Sequence, residues 1–198
     1  MPEKQDISAL LGSRICHDLI SPLGAISNGI ELLTMSGASV GPEIALISES
    51  VANANARVRF FRVAFGAASA EQRIGKPEIL SILADVLRGG RLAVDWQVAG
   101  DPSRREVKLA FLRIQCLETA MAYGGTITVG RQEDTWLMTA NAARLKIDPA
   151  LWEVLSNPAA EVEVTAAQVH FLLAPKELRQ LGRHLTVNIR ETDIALSW

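Results

Sequence analysis

The stretch that decides the fold runs from Pro42 to Phe65 and reads PEIALISESVANANARVRFFRVAF. Pro42 and Glu43 favour a helix start, because the proline amide needs no partner in the first turn and a carboxylate is stabilised at the positive end of the helix dipole. After them, apolar residues recur at alternating spacings of three and four over three heptads, which is typical of a bundle seam. The seam consists of Ile44, Ile47, Val51, Ala54, Val58, Phe61 and Phe65.

Upstream of this stretch, apolar positions spaced by three and four predict a second long amphipathic helix from Ile7 to Leu33. Between the two helices, Met35 to Pro42 holds two glycines, two serines and a proline, which predicts a loop. The helices would form an antiparallel hairpin, and a lone hairpin leaves much of its apolar surface in water. Because pairing two hairpins into a four-helix bundle would bury that surface, we predict a homodimer. The alternative is that both stripes pack onto the rest of the same chain.

The pattern changes after a run of small and polar residues, Ala67 to Gly75, which predicts a linker. We place residues 1–69 in the helical-hairpin domain and residues 70–198 in an α/β sandwich of about five strands and three helices, in the order α-β-α-β-β-α-β-β. The predicted strands lie near Leu92–Val98, Thr126–Gly130, Thr135–Asn141, Leu185–Ile189 and Ile194–Trp198. One predicted helix begins at Pro77, and three further helical segments span Arg104–Tyr123, Pro149–Leu155 and Val164–Leu181. We expect Pro175 to break or kink the last of them.

Composition excludes several classes of function. The 198 residues carry 20 lysines and arginines against 22 aspartates and glutamates, a net charge of −2 that offers no cationic face for nucleic acid. Two cysteines without a CxxC spacing form neither a disulfide framework nor a zinc site. The start, Met1–Asp6, is polar, and no apolar run reaches the ~18 residues of a membrane span. We therefore expect a cytoplasmic protein without a membrane or nucleic-acid partner.

His17 is the residue that points to chemistry. At about 100° per residue it lies roughly 200° from Ile15, which belongs to the apolar stripe of the first helix. A core histidine would share that stripe, so the sequence favours a histidine that another molecule can reach, the alternative being an ordinary exposed histidine. Its neighbours on this face are small and polar: Ser13, Ser21, Gly24, Asn28 and Glu31.

Three details beside His17 favour nucleophilic chemistry. Asp18 would hydrogen-bond one ring nitrogen, which fixes the tautomer and leaves the other nitrogen free to attack. Pro22 lies inside the helix at a cost of ~3 kcal/mol, so we expect a compensating role near the histidine. Ser21 offers a hydroxyl one turn onward, and it and Gly24 are small enough to let a partner approach the imidazole.

The run HDLISPL at residues 17–23 resembles the H-box of two-component histidine kinases, in which a histidine, an acidic residue, leucine, a basic residue, threonine or asparagine, proline and leucine follow one another. Ile20 and Ser21 depart from that pattern. The longer run HDLISPLGAISNGIELL at residues 17–33 is more similar to the ChpT-type histidine phosphotransferases of alphaproteobacteria. This resemblance implies a dimerising hairpin followed by a degenerate version of the kinase ATP-binding (Bergerat-type) domain, an order of elements that fits the one predicted above.

The second domain separates a kinase from a phosphate relay. In the kinase family, an asparagine-bearing helix and glycine-rich segments hold the nucleotide, since backbone must approach the phosphates closely. Here the helix Arg104–Tyr123 contains no asparagine, and the 51 residues from Arg131 to Leu181 contain no glycine. Asp148 alone is weak support for an adenine site, and the pairs Gly89-Gly90 and Gly124-Gly125 are better explained as helix ends. We therefore expect that the second domain does not bind ATP.

The resemblance implies a histidine phosphotransferase whose partners are receiver domains, one in a hybrid histidine kinase and others in response regulators. His17 would be the phosphoacceptor and Asp18 would orient the imidazole, while Ser21 would support transfer, support dephosphorylation or take part in neither. Three residues of the same face would bind the receiver: Ser13, Gly24 and Asn28. No bound cofactor or metal is expected, because Mg²⁺ would come from the acidic pocket of the receiver, and the second domain would help to dock that partner.

Two other functions stay open. An ATP-dependent histidine kinase would need nucleotide affinity, and a scaffold that binds a receiver or a kinase would leave His17 idle. His170 and His184 lack carboxylate partners at ligand spacing, and we expect them to be structural or surface residues. Three arginines off the seam of the second helix form either a solvated face or contacts to an acidic partner: Arg57, Arg59 and Arg62.

Overall fold

The computed structural model describes residues 20, 23–24, 26–35, 42–69, 71–157, 160, 162 and 164–198. The chain divides into two compact units. The first holds the described residues up to Ala68 together with Ser81–Val86, and the second holds Ser69–Leu80 and Leu87–Trp198. The domain boundary that the sequence predicts between residues 69 and 70 stays a prediction.

The first unit contains two long helices. Helix α1 is described over residues 23–24 and 26–35, and helix α2 spans Pro42–Ala64. The predicted start of α2 at Pro42 is confirmed, whereas the predicted start of α1 at Ile7 lies outside the described residues. Residues 36–41, which make up most of the predicted loop, also lie outside them.

The buried face of α2 differs from the predicted seam. Val51 and Val58 of the seam are buried, but Ile47 is 48% exposed. In the C-terminal half of the helix the most buried large side chains are Phe60 and Val63, which lie beside the seam rather than on it. The helix therefore buries one side near its C-terminus and leaves part of the seam open.

Helix α3 spans Lys76–Leu87, with Pro77 in its first turn as predicted. Arg59 of α2 donates hydrogen bonds to Asp85 Oδ2 over 2.8 Å and to Ser81 Oγ over 3.2 Å. Because the side chains of Arg59 and Asp85 are 38% and 30% exposed, this ion pair adds only about 0–1 kcal/mol. Arg59 is therefore engaged within its own chain, an outcome that neither of its two predicted roles included.

The second unit is built on a five-stranded sheet. Its strands lie in the order β1-β2-β3-β5-β4, with β1 parallel to β2 and each other neighbouring pair antiparallel. The five strands that the sequence predicts are therefore confirmed. The strands are β1 (Leu92–Trp96), β2 (Gly125–Gln132), β3 (Thr135–Asn141), β4 (Thr186–Ile189) and β5 (Asp193–Ser197).

Three further helices belong to this unit: α4 (Arg104–Ala120), α5 (Pro149–Ser156) and α6 (His170–Gln180). Helices α5 and α6 lie between β3 and β4, where the sequence predicts two helical segments, although the predicted order of elements counted one helix there. The helical segment predicted from Val164 to Leu181 is confirmed over His170–Gln180, and a 3₁₀ turn at Ala166–Gln168 precedes the helix.

Of the two effects predicted for Pro175, a break and a kink, the break is wrong, because α6 continues through this residue to Gln180. Phe171, Ala174 and Leu178 recur at helical spacing around the proline, and all three are buried. Burying a large apolar side chain contributes ~1.5–3 kcal/mol, so this face offsets the ~3 kcal/mol that an interior proline costs.

Alternation along the strands gives the sheet one buried face and one open face. Ile127 and Val129 of β2, and Trp136 and Met138 of β3, are at most 1% exposed and form the buried face. The residues between them point to the opposite side, where the sheet presents mainly small and polar side chains. The apolar core of this unit therefore lies on one side of the sheet.

Helix α4 begins with a capping box. Ser103 Oγ accepts from Glu106 N, and the Glu106 carboxylate accepts in return from Ser103 N. The same carboxylate accepts from Trp136 Nε1 over 3.2 Å and lies 3.5 Å from Arg131. Burial alone would raise the pKa of Glu106, but the hydrogen bonds from Ser103 and Trp136, with the charge of Arg131, outweigh burial and hold this pKa below its ordinary value.

Further along α4, Lys108 Nζ lies 2.6 Å from Glu177 Oε1 of α6. The two side chains are only 5% and 6% exposed, so each charge has lost most of its contact with water. A buried ion pair of this kind adds little net stability, but losing one partner leaves an uncompensated charge in the interior. The pair therefore makes the docking of α6 on α4 dependent on both residues.

We expect Lys108→Met to lower the free energy of unfolding by ~3–5 kcal/mol, because Glu177 would stay buried without its cation. The double variant Lys108→Met with Glu177→Leu should recover most of that loss, since no charge remains to be paired. Urea denaturation followed by tryptophan fluorescence measures both. Equal destabilisation in the single and the double variant would show that the charge pair is not the cause.

Candidate functional site

The structure describes two of the six residues that the sequence places at the site. Gly24 and Asn28 lie on α1, and both are described. The other four lie outside the described residues: Ser13, His17, Asp18 and Ser21. The roles predicted for these four stay predictions, and the site is defined structurally by its two described members and the helix that continues from them.

At Gly24 and Asn28 the site face of α1 is open. A Cβ added to Gly24 would meet no atom within 4 Å, and the Asn28 side chain one turn later is exposed. Residues four positions apart lie on the same helix face, so these two positions continue the strip predicted around His17. Another molecule can therefore approach this part of the strip without displacing a described side chain.

Two large apolar residues on this face were missed in the sequence analysis. At about 100° per residue, Leu32 and Met35 lie within roughly 40° of Asn28. Leu32 is 67% exposed and Met35 is 77% exposed. Exposed apolar patches mark interaction surfaces more often than isolated exposed residues do. The signal was available from the helical periodicity, but the strip had been defined by small and polar residue types alone.

The opposite side of α1 also presents apolar side chains. Ile26 and Leu33 belong to the apolar stripe, and they are 48% and 51% exposed. Ile47 on the seam of α2 is exposed to a similar extent. The first unit therefore carries two apolar surfaces, one on the site face of α1 and one along the predicted seam.

Asp148 and the two glycine pairs have structural roles in the second unit. Asp148 caps α5, since its carboxylate accepts hydrogen bonds from the backbone N–H groups of Ala150 and Leu151. Gly89 follows α3 with φ +71°, and Gly124 follows α4 with φ +93°. The positive angle at Gly89 confirms the prediction that the first glycine pair ends a helix. Helix α4 ends at Ala120 with Met121 as its C-cap, so the same prediction for the second pair is wrong, and Gly124 lies in the turn that leads into β2.

The histidines of the second unit do not form a site. His170 is buried at the start of α6, and its Nε2 lies 3.3 Å from the Thr119 hydroxyl. That hydroxyl donates to Gln115 O, so the histidine supplies the hydrogen of the bond between the two side chains. Burial lowers the pKa of His170 to about 4, and the ring stays neutral near pH 7. His184 is exposed, and the structural and surface roles predicted for the two histidines are confirmed.

A cavity of about 580 Å³ lies on the open face of the sheet. Its lining is largely neutral, with Thr128, Thr139 and Asn188 among the polar groups. Arg131 also borders it, but its guanidinium is directed to Glu106 and Asp134. Among the described residues, no three His, Cys, Asp or Glu side chains cluster as metal ligands would. In the same part of the chain, no helix combines the length and the apolar character that a bilayer span requires.

The fold and the open face of α1 fit one class of protein. Residues 76–193 match the family model of the histidine phosphotransferase C-terminal domain, and this chain belongs to that family of histidine phosphotransferases. The protein phosphotransferase ChpT of Brucella abortus (strain 2308) is 33% identical over 198 residues, which cover 97% of this chain and 94% of that protein.

Solved structures agree with this assignment. A structure described as a bacterial phosphotransferase superimposes with a TM-score of 0.70 at 28% identity, over 100% of this chain and 97% of that one. Full-length ShkA in complex with AMPPNP superimposes with a TM-score of 0.50 at 12% identity, over 96% of this chain and 46% of that one. The second comparison shows a likeness of fold alone.

The lowered pKa of His170 predicts a loss of stability in mild acid. Its folded pKa of about 4 lies below the ordinary value of 6.5, so the unfolded chain takes up a proton between these pH values while the folded chain does not. Between pH 7 and pH 5, wild type should therefore lose on the order of 1 kcal/mol more stability than His170→Gln. Urea denaturation at both pH values tests this, with His184→Gln as the exposed control that should behave like wild type.

Proposed function

We propose that this protein is a histidine phosphotransferase of a multi-step phosphorelay, in which His17 carries the phosphoryl group between receiver-domain aspartates. The observation that carries the proposal is membership of the histidine phosphotransferase family, by a match over residues 76–193. The H-box-like run at residues 17–23 adds the acceptor, because it supplies a histidine with an adjacent acidic residue.

In the proposed reaction, the free imidazole nitrogen of His17 attacks the phosphorus of an aspartyl phosphate. A P–N bond forms, the P–O bond to the aspartate breaks, and the aspartate leaves as a carboxylate. Asp18 holds the other ring nitrogen through its N–H, so that the attacking nitrogen keeps its lone pair. The receiver supplies Mg²⁺, which neutralises charge on the transferred group. Since phosphohistidine and aspartyl phosphate are both high-energy, the step runs in either direction, and positioning accounts for most of the catalysis.

The receiver would dock on the site face of α1. Gly24 and Asn28 leave this face open, and Leu32 and Met35 add exposed apolar surface at its C-terminal end. Small residues leave room for a partner to reach the imidazole, and large apolar residues lie next to them. This combination suits a protein partner, because the binding energy of a protein interface is concentrated in a few large side chains.

We also propose that the second unit works without ATP. Asp148 is occupied in capping α5, and the segment from Arg131 to Leu181 has no glycine that would let backbone approach phosphates. In this segment α6 packs on α4 through the buried Lys108–Glu177 pair. A helix held in this way supports a fixed surface for partner binding rather than a lid that closes over nucleotide.

The third part of the proposal is a homodimer built on a four-helix bundle. Ile26 and Leu33 of α1 and Ile47 of α2 leave an apolar seam about half exposed in the single chain. Pairing two hairpins along this seam would remove the exposed surface from water, at roughly 25 cal/mol per Å² of apolar area.

Phosphate transfer to wild type and to His17→Ala tests the central proposal. We expect acid-labile label from a prephosphorylated receiver domain, none from ATP alone, and none in His17→Ala with either donor. His184→Ala is the matched control, and it should accept label like wild type. Label from ATP alone would identify a kinase, and receiver binding without label in wild type would identify a scaffold.

The dimer is tested by Ile47→Glu, which places a carboxylate on the proposed seam. We expect its dimerisation to weaken at least about tenfold, since a charge on an apolar interface loses hydration without gaining a partner. Asn53→Glu puts the same charge on an exposed position of α2 away from the seam and should leave the dimer intact. Light scattering across a dilution series measures both, and a wild type that is monomeric throughout would refute the dimer.

A further inference from the structure

Strand β4 lies at an edge of the sheet, and part of its backbone faces away from the other strands. Among the described residues, β5 is its only neighbouring strand. Arg190 N donates to Asp193 O over 2.8 Å at the turn that joins the two strands. Because hydrogen-bonded pairs alternate along an antiparallel ladder, Asn188 bonds to β5, while the N–H and C=O groups of Val187 and Ile189 point to the free edge.

This edge lacks features that usually prevent pairing with another chain. Natural sheets protect free edges with lysine, proline or bulges. Strand β4 reads TVNI, without a charge or a proline, and its register with β5 is continuous. Ile189 lies opposite the buried Ile194, so its side chain belongs to the core face of the sheet, yet it is 38% exposed. An additional strand would cover this side chain and pair the free backbone groups.

A small cavity lies at the start of the same edge. Its volume is about 100 Å³, and its apolar lining consists of Val154, Leu155, Pro175, Leu178 and Leu185. Its polar lining consists of Ser156, Arg179, Arg183 and His184. Leu185 directly precedes β4 and alternates with Val187, so the cavity adjoins the core face of the strand. Since cavities for drug-sized molecules measure ~300–1,000 Å³, this one suits a single apolar side chain.

Arg179 places a positive charge beside this cavity. The residue is exposed, and in the described part of the chain it forms no ion pair with a carboxylate. Arg183 differs, because its guanidinium donates to Asp134 O and lies 3.8 Å from Glu106 Oε1. A carboxylate next to the cavity would therefore meet Arg179.

The turn between α6 and β4 fixes the cavity relative to the free edge. Gly182 has φ +65°, and its N–H donates to Arg179 O over 3.0 Å. Arg183 N donates to Leu178 O over 3.2 Å. These two bonds form a Schellman motif, which ends the helix and directs the chain into the strand. The cavity and the edge are therefore positioned before a partner binds, which lowers the entropic cost of binding.

We propose that the free edge of β4 and the adjoining cavity bind an extended segment of a partner protein, which adds a strand to the sheet. An apolar side chain of the segment fills the cavity, and a carboxylate on the same face pairs with Arg179. Main-chain hydrogen bonds to Val187 and Ile189 supply affinity, and the cavity supplies specificity. The inference does not depend on the chemistry proposed for His17.

A peptide backbone is the ligand that matches a row of donors and acceptors at strand spacing. A second copy of this chain matches less well. Strand β4 itself contains no carboxylate, so a copy that paired through the same strand would not bring one to Arg179 from that strand.

The test measures binding of a fluorescein-labelled peptide, GSTVTLTETG, to the full chain by fluorescence anisotropy. In an extended conformation, the valine, leucine and glutamate of this peptide share one face, and the threonines lie on the other. A second peptide, with lysine in place of glutamate, is the charge control.

Two proline variants test the edge. Val187→Pro removes an N–H that faces away from the sheet, so the ladder to β5 stays intact. Val94→Pro is the matched control at the other edge. Gln97 N donates to Val129 O, and alternate residues of β1 bond to β2, so the N–H of Val94 also faces away from the sheet. Circular dichroism first establishes that both variants fold like wild type.

We expect Val187→Pro to raise the Kd of the glutamate peptide at least about tenfold, whereas Val94→Pro should bind like wild type. Arg179→Glu should raise this Kd several-fold at low salt and less at moderate salt, because salt screens the attraction in wild type. Arg57→Glu makes the same charge change at an exposed position of α2 and should bind like wild type. Saturating peptide should slow amide hydrogen exchange at Val187 and Ile189 at least about tenfold.

The lysine peptide should bind wild type several-fold more weakly than the glutamate peptide, and Arg179→Glu should abolish this preference. Equal Kd values for the two proline variants, or no saturable binding by wild type, would overturn the inference. Equal binding of the two peptides by wild type would refute the contact with Arg179. If Val187→Pro lowers the oligomeric state in light scattering without peptide, a second copy occupies the edge and the partner assigned here is wrong.

Discussion

The second unit depends on the burial of helix α4. Eleven of its seventeen residues are buried, including Lys108 and Arg113, so the helix must be covered on more than one side. Phe111 packs edge-on against Trp96 of β1, and Lys108 meets Glu177 of α6 on another side. Of its two buried charges, Lys108 is paired with Glu177, whereas the guanidinium of Arg113 has no hydrogen-bond partner among the described residues. The cover that α6 provides therefore depends on the Lys108–Glu177 pair.

The two ends of α4 use charge differently. At its N-terminus, Glu106 closes the capping box and accepts a hydrogen bond from Trp136 Nε1. The same carboxylate forms ion pairs with Arg131 and Arg183. A single carboxylate therefore joins the helix, the sheet and the segment before β4. At its C-terminus, glycines with positive φ let β1, β2 and the loop after β3 converge without a carboxylate to neutralise the exposed cations. At one end the charges are therefore paired within the unit, and at the other end the cations are exposed.

The fold described above belongs to a family of histidine phosphotransferases. Nucleotide binding needs glycine-rich backbone and mobile segments. Between β3 and β4 this chain instead has the capped helix α5, a 3₁₀ turn and helix α6, which is docked on α4 through the buried Lys108–Glu177 ion pair. In the first unit, α1 keeps an open face at Gly24 and Asn28 and exposes Leu32 and Met35 beyond them. The chemistry proposed for His17 needs a partner protein on that face.

The sequence by itself determined the helix start at Pro42, the five strands, the helix end before Gly89 and the H-box-like run, because each depends on residues close together in the chain. Only the tertiary structure decided that α6 continues through Pro175, that Arg59 pairs with Asp85, and that Tyr123 lies beneath Arg144. These features join residues far apart in the chain, or depend on burial that outweighs a local preference. Periodicity along one segment carries no information about which distant segment will cover it, and that choice is made by packing.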